Sequence, residues 1–233
     1  MTSTNEPIKR DPHVTTGLDT VRLYNLRFDR ASVTRKARLW EVIVRRFFQR
    51  WVGPDDVVLD LGCGYGEFIN NIRCRRRLAV DLNPDSAGFL DQDVEYHRTS
   101  VCDLAFLGDA SVDVVFTSNL MEHLPDKPAV VRMLSESCRV LKPGGHFVAM
   151  GPNIRLLPGT YWDFWDHIVP ISDRSLAEVL TTLGFQVVTC LPRFLPYTTC
   201  SSLPQSPWLV RLYLALPMFW PLFGRQFLLR ARK

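Results

Sequence analysis

The chain of 233 residues has six cysteines but no CxxC pair, no zinc-type spacing and no dense scaffold pattern. A disulfide framework and a metal knuckle are therefore excluded, and a reduced, cytoplasmic setting is expected. No GxxxxGK[ST] run occurs, which removes the lysine-bearing loop that cradles triphosphates. No segment supplies the about 20 uninterrupted apolar residues of a membrane span. The most apolar stretch, Ser202 to Phe223, is broken by Arg211 and by prolines at 204, 207, 217 and 221. Acidic residues stop at Glu178, whereas Arg193, Arg211, Arg225, Arg230, Arg232 and Lys233 follow it, so the net charge of +4 divides into −2 before and +6 after that point. These bases are dispersed among apolar residues rather than gathered in a dense stripe, and Ser118 to Met121 carry no NPPY- or DPPY-like motif, so nucleic acid is not expected as a partner. The opening MTSTNEPIKRDPH lacks the apolar stretch of a secretory signal and reads as a polar tail.

What is present begins at Val58 to Phe68, VLDLGCGYGEF, an apolar strand that ends in an acid and a glycine-rich turn. Ala79 to Pro84, AVDLNP, repeats the strand-to-acid pattern. Glycines let a backbone turn sharply and approach a ligand because no Cβ intervenes. Asp81, nineteen residues after Gly62, stands where an α/β nucleotide site places a carboxylate for ribose hydroxyls. A dinucleotide turn needs a third glycine five residues after the first, and Glu67 occupies that position, which weakens a nicotinamide oxidoreductase reading. Asp60 and Glu67 would repel a pyrophosphate but suit a ligand with an ammonium and a sulfonium. S-adenosylmethionine has that chemistry.

These segments, followed by TSVCDL (99–104), VDVVFTSNLMEHLP (112–125) and RVLKPGGHFVAMGPN (139–153), resemble the class I S-adenosylmethionine-dependent methyltransferases, in particular small-molecule enzymes of ubiquinone and menaquinone type. The resemblance spans roughly residues 40 to 190. It implies that Gly62 and Gly64 lie under the methionine moiety, Asp81 holds the ribose and Asp103 contacts the adenine amine. A cap for the helix that follows is the plainer task for Asp103. Some quinone-type relatives place a carboxylate three residues before the Glu122 position and bind a divalent cation; Asn119 stands there, so no metal is expected.

Alternating elements predict a Rossmann-like, doubly wound α/β fold: seven strands, mostly parallel with an antiparallel last strand, and helices on both faces. Strands are expected near 57–61, 77–81, 94–98, 112–118, 145–150, 185–191 and 226–232. Helices are expected over 35–51, with Leu39, Ile43, Phe47 and Trp51 at helical spacing, and near 66–74, 85–91, 127–140 and 173–183. Pro143-Gly144-Gly145 and Leu183-Gly184-Phe185 read as helix stops. One domain is expected: residues 1–35 as tail and cofactor-covering segment, 36–191 as core, 192–225 as an apolar basic insertion or lid, and 226–233 as the last strand.

Ligands of open α/β sheets bind beyond the carboxyl ends of the strands. That rule selects Asp60, Gly62, Cys63 and Gly64; Asp81, Leu82 and Asn83; Val101, Cys102, Asp103 and Leu104; Ser118, Asn119, Leu120 and His123; and Gly151, Pro152 and Asn153. Tyr24 and Arg27, in LDTVRLYNLRF (18–28), are candidates to fold over the cofactor. The loop NIRLLPGTYWDFWDHIVPIS (153–172) concentrates aromatic and polar groups as a small-molecule pocket does. Within it His167 is the candidate base, assisted by Asp166 or Tyr161, and Asn153, Trp162 and Trp165 are candidates for substrate contact. The acceptor is expected to be a small molecule with an apolar part, methylated on oxygen or nitrogen: an aromatic metabolite, a lipid or a glycan-linked species. The PNIR, YWDFWDH and RFLPY segments resemble those of bacterial surface-glycan and lipid enzymes. The basic, aromatic C-terminal insertion can lie on a membrane surface, or pack its apolar face on the core. A non-catalytic scaffold of the same fold is the other alternative, and the intact acids at 60, 81 and 103 argue against it.

Overall fold

The computed structural model describes residues 30–197 and 206–233, and Tyr24 and Arg27 lie outside them. Chain order is α1 (Arg30–Arg46), β1 (Val57–Leu61), β2 (Arg76–Val80), β3 (Val94–His97), β4 (Val112–Ser118), α2 (Lys127–Val140), β5 (Leu141–Pro152), α3 (Asp173–Thr182), β6 (Gln186–Leu191), α4 (Pro207–Ala215), α5 (Trp220–Phe223) and β7 (Gln226–Arg232). The seven strands form one sheet in the order β3-β2-β1-β4-β5-β7-β6. Pairs among β1 to β5 are parallel; β7 runs antiparallel to both β5 and β6. The expected fold class is the one observed.

Strand alternation divides the core in two. Leu59, Leu61, Leu78, Val80 and Phe147 face one side, where Met133 and Leu134 of α2 and Leu176 and Leu180 of α3 cover them. Val58, Ala79, Val114, Phe116 and Val148 face the other, under Ile43 and Val44 of α1 with Phe47, Phe48, Phe194 and Trp220. Both faces of β1 are buried, as a parallel central strand requires. Asp126 caps α2 by accepting the Ala129 N–H at 2.6 Å, and Ser172 with Ser175 forms a capping box on α3.

The bounds of β1, β4, β7 and α2 agree with expectation, and four local expectations do not. No regular helix forms over 66–74. Two i→i−4 bonds persist there, Asn70 to Gly66 and Ile72 to Phe68, but the side chain of Asn71 donates to Glu67 O and that of Asn70 to Phe89 O. Asparagine side chains compete in this way with helical bonding. Over 85–91 a 3-10 helix, Pro84–Phe89, replaces the expected α-helix, with Asn83 capping it. The first helix starts earlier than expected and stops at Arg46, and Phe48–Trp51 continues as 3-10. The boundary expected between 35 and 36 thus falls inside α1. Finally, Pro143-Gly144-Gly145 is absorbed as an irregularity in β5, whose pairing slips between Val112/Leu141 and Val114/His146. Gly144 has φ +80° and Gly145 leaves only 2.9 Å between a virtual Cβ and Asp113 O, so glycine permits the bulge.

The segment after β6 is held by its inner side. Trp220 is buried, its indole donates to Tyr213 O at 2.9 Å, and the Tyr213 hydroxyl donates to Phe194 O at 2.6 Å. Trp208 in the same segment is 65% exposed. Trp220→Ala is expected to lower the unfolding free energy by about 3–5 kcal/mol. Trp208→Ala should stay within about 0.5 kcal/mol. Urea unfolding of both variants checks the contrast.

Candidate functional site

The glycine turn after β1 is fixed to β2. Gly62 N and Cys63 N both donate to Val80 O, at 2.8 and 3.1 Å. The Asp81 carboxylate accepts Gly64 N and Asn83 N, each at 2.8 Å. Gly62, Gly64 and Gly66 have φ of +70°, +53° and +77°, the left-handed region that other residues enter at a cost. A Cβ on Gly62 would come within 2.7 Å of Leu120 Cδ1. The turn is therefore an open backbone cradle, closed on one side by Leu120, just beyond β4.

Three carboxyls line this cradle. Burial first, and then the charges of Glu67 and Asp81, hold the Asp60 carboxyl well above the usual carboxylate range. Burial also raises Asp81, against the N–H groups of Asn83, Gly64 and Leu82 that oppose the shift. The Lys36 ammonium from α1 reaches Glu67 at 2.8 Å. Burial pushes the Cys63 thiol up, and the neighbouring acids add to it, so Cys63 is a packed thiol rather than a nucleophile. At the end of β4, Asn119 has φ +51°, and its buried Oδ1 has no hydrogen-bond partner. Such an orphan acceptor marks a place for a donor. Acidic walls, an open cradle and an orphan acceptor fit a cofactor that bears an ammonium and a sulfonium.

Around the adenine position expected from the sequence, Leu82 is 50% exposed, which leaves an apolar surface for a purine face. Asp103 is exposed, and its Oδ1 accepts Ala105 N at 3.2 Å, the local turn that Asp commonly makes. Val101 and Leu104 are core residues, and the Cys102 thiol lies 3.3 Å from Ala129 O. Any cofactor contact from Val101 and Leu104 is left to the backbone.

A second cluster forms beyond β4 and β5. Glu122 O accepts both Ile168 N (2.7 Å) and Val169 N (3.1 Å), which ties the 153–172 loop to the end of β4. His123 Nδ1 lies 3.2 Å from Asp166 Oδ2 and 3.0 Å from Asp166 O. The His167 ring is buried between Phe164 (4.9 Å), Tyr161 (4.8 Å) and His123 (5.0 Å). Burial lowers the His123 pKa, but the hydrogen bond to Asp166 and the charge of Glu122 outweigh it, so the net shift is upward. Burial raises Glu122, whose Oε1 has no hydrogen-bond partner. Ligand atoms of Glu122, His123 and His167 lie within 4.8 Å of one another. Two imidazoles and a carboxyl suit a borderline metal better than a hard cation, and they equally suit proton transfer.

Of the three catalytic candidates, His167 and Asp166 thus meet in this cluster. The Tyr161 hydroxyl is committed elsewhere, donating to Val169 O at 2.6 Å and accepting Ile171 N at 3.2 Å; it pins the loop. Asn153 is likewise engaged, donating to Asp173 Oδ1 at 2.8 Å and to Pro192 O at 3.1 Å. Arg155 joins the same network, 2.9 Å from Asp173. Trp162 and Trp165 are 51% and 68% exposed and free to meet an apolar molecule. Sequence reasoning weighed Glu122 for a metal and missed its carbonyl as an anchor of the loop. It also missed Lys36, for which spacing carries no signal.

An open sheet with a glycine cradle after β1, an acid after β2 and an acid-imidazole cluster beyond β4 defines a Rossmann-like α/β architecture, of the kind that binds ligands beyond the carboxyl ends of its strands. The family model described as a methyltransferase domain matches residues 59–149. A protein of Mycolicibacterium smegmatis named "Probable S-adenosylmethionine-dependent methyltransferase" is 36% identical over 163 residues, 67% of this chain and 62% of its own length. A ubiquinone biosynthesis O-methyltransferase of Acinetobacter baumannii is 35% identical over 100 residues, 38% of this chain and 40% of its own. The crystal structure of an S-adenosylmethionine-dependent methyltransferase from Archaeoglobus fulgidus shares the fold, with a TM-score of 0.64 over 92% of this chain and 100% of that one, at 24% identity. The chain carries a methyltransferase domain of the class I S-adenosylmethionine-dependent type over residues 59–149, a family whose cofactor is S-adenosylmethionine. It spans less than two thirds of the length of the curated relatives it matches, 62% and 52% of the first two.

Gly62→Ala is expected to weaken binding of S-adenosylhomocysteine at least about tenfold, which is about 1.4 kcal/mol, as measured by isothermal titration calorimetry. A second expectation concerns pH. The folded-state pKa of His123 lies above its ordinary value of about 6.5, so its stabilising contribution is full below that value and is lost as pH rises through the folded pKa. The melting-temperature difference between the wild type and His123→Gln should therefore be larger at pH 6 than at pH 9. Thermal scans at the two pH values measure it.

Proposed function

We propose that this protein transfers the methyl group of S-adenosylmethionine to an oxygen or nitrogen of a small, partly apolar acceptor. The observation that carries the reading is the adjacency of two groups of residues: Leu120 closes the cradle at Gly62, and Glu122 and His123 stand just beyond it, in the same short 3-10 turn that begins at Met121. Donor site and acid-imidazole cluster thus share the end of β4.

The bound sulfonium supplies an already activated methyl group. The chain has to hold donor and acceptor in line and keep water out, and alignment of this kind is worth about 7–11 kcal/mol of a barrier. The cradle and its acids orient the donor. Gly62 and Gly64, with Asp60 and Asp81, would hold the donor, which would supply its methyl group to the acceptor lone pair while the electron pair of the broken carbon–sulfur bond stays on sulfur. Where the acceptor heteroatom carries a proton, His167 takes it; the aromatic wall of Tyr161 and Phe164 holds that imidazole. Asp166 positions His123 beside it. Asp103 serves the adenine, and Asp81 serves the ribose through whatever acceptor capacity its backbone bonds leave. Exposed Trp162 and Trp165 supply an apolar contact surface for the acceptor, of the kind a lipid, a glycan-linked species or an aromatic metabolite would meet.

Incubating extract with the enzyme and isotopically labelled S-adenosylmethionine, and then searching by mass spectrometry for species that gain a methyl group, identifies the acceptor. With that acceptor, His167→Ala is expected to lower kcat by about 10²-fold or more while S-adenosylhomocysteine affinity changes less than threefold. Full turnover by the variant would refute the base. Turnover is also expected to survive treatment with EDTA; a loss reversed by added divalent cation would convert the Glu122, His123 and His167 cluster into a metal centre.

A further inference from the structure

A second, basic feature lies between α1 and α4. A cleft of about 510 Å³ opens between α1 and α4, lined by Arg38, Arg45 and Arg46 from one helix and by Pro207 and Arg211 from the other, with Glu41 as its acid. Four guanidinium groups face one carboxylate, and that carboxylate is paired with Arg45 at 2.9 Å. Arg38, Arg46 and Arg211 have no ion pair among the described residues.

Apolar side chains surround this charge. Along α4, Pro207, Trp208, Arg211, Leu212 and Ala215 form one exposed stripe, while Val210, Tyr213 and Leu214 pack inward. The turns that follow leave Met218 at 74% and Leu222 at 63% exposure, with Trp208 at 65%. Exposed Trp208 and Leu212 share α4 with Arg211, and α4 and the turns after it hold no acidic residue, so the cleft, with four arginines against Glu41, is net positive and has apolar side chains along the same segment. Protein-binding patches also use tryptophan and arginine, but a net positive surface next to protruding apolar side chains matches an anionic headgroup layer over hydrocarbon. No helix among the described residues is long and apolar enough to cross a membrane, so the contact is with its surface.

We infer that the α1–α4 face docks on anionic lipid bilayers, with lipid phosphates in the Arg38, Arg46 and Arg211 cleft and with Trp208, Leu212, Met218 and Leu222 in the interfacial layer. The inference stands on this surface alone and is independent of the methyl acceptor. Sedimentation of the full chain with phosphatidylcholine vesicles, with and without 30% phosphatidylglycerol by design, tests it. Binding is expected only to the anionic vesicles, and it should weaken at least tenfold in the triple variant Arg38→Ala, Arg46→Ala, Arg211→Ala. Trp208→Ala with Met218→Ala should weaken binding at low salt, whereas inorganic phosphate at millimolar concentration should not displace the protein. Circular dichroism melts establish that both variants fold, and any variant that does not is replaced by the single change Arg211→Glu, at a position exposed on α4. Equal binding to neutral vesicles, no binding to either, variants that bind like the wild type, or release by millimolar phosphate would each overturn the inference. The last would indicate a site for a soluble phosphate.

Discussion

The Asp81 carboxylate is the contact on which the cofactor side of the structure depends. It accepts Gly64 N with one oxygen and Asn83 N with the other, so one side chain at the end of β2 fixes both the glycine turn after β1 and its own loop. Val80 O adds two further bonds to that turn. A turn with three successive left-handed glycines would otherwise be among the most mobile backbone in the chain; here its shape is set before any ligand arrives. Such pre-organisation reduces the ordering cost of binding. It also places Glu67 and Asp81 close enough to Asp60 that their charges add to the upward shift that burial gives the Asp60 carboxyl. Carboxyls held in that state attract a cation, and the sulfonium and ammonium of S-adenosylmethionine meet the requirement.

The proposed acceptor side depends on a different kind of bond. Glu122 is buried through its side chain, yet its structural task is performed by its carbonyl, which receives two N–H groups of the 153–172 loop. Tyr161 pins the same loop from within, and the Asn153, Arg155 and Asp173 network holds its start against α3. The loop is thus anchored at three places, while Trp162 and Trp165 remain outward. Rigid anchors with exposed aromatic tips are suited to an acceptor that enters from outside, because they hold the reacting geometry without closing the entrance.

The sequence made the sheet legible because burial of parallel strands requires continuous apolar runs, and VVLDL and VDVVFTS satisfy that requirement within a few residues. The cradle was legible for a related reason: glycine at 62, 64 and 66 has few other physical explanations. Tertiary choices were not. Nothing in the spacing of Asn70 and Asn71 shows that their amides will bond to backbone instead of extending a helix. Nothing at Tyr161 shows that its hydroxyl will be satisfied inside the loop rather than in a pocket. Lys36 and Glu67 are separated by a strand and a turn, and only the packing of α1 brings them to 2.8 Å. His167 was selected for its place in a loop, and the fold added what position could not reveal, a buried seat beside His123 and Glu122.

The two sides of the molecule meet in α1. Residues two apart on a helix point about 200° from each other, so Lys36 and Arg38 face opposite ways, whereas Arg38, Arg45 and Arg46, seven and eight apart, share a face. The first side supplies the cation that neutralises Glu67 in the cradle; the second supplies the arginines of the outer cleft. Between them Trp40, Ile43 and Val44 pack into the core beneath the sheet, so the helix cannot rotate to favour one role without losing buried contacts. A single amphipathic helix therefore holds a cation at the glycine cradle and a basic surface toward the exterior in fixed relation.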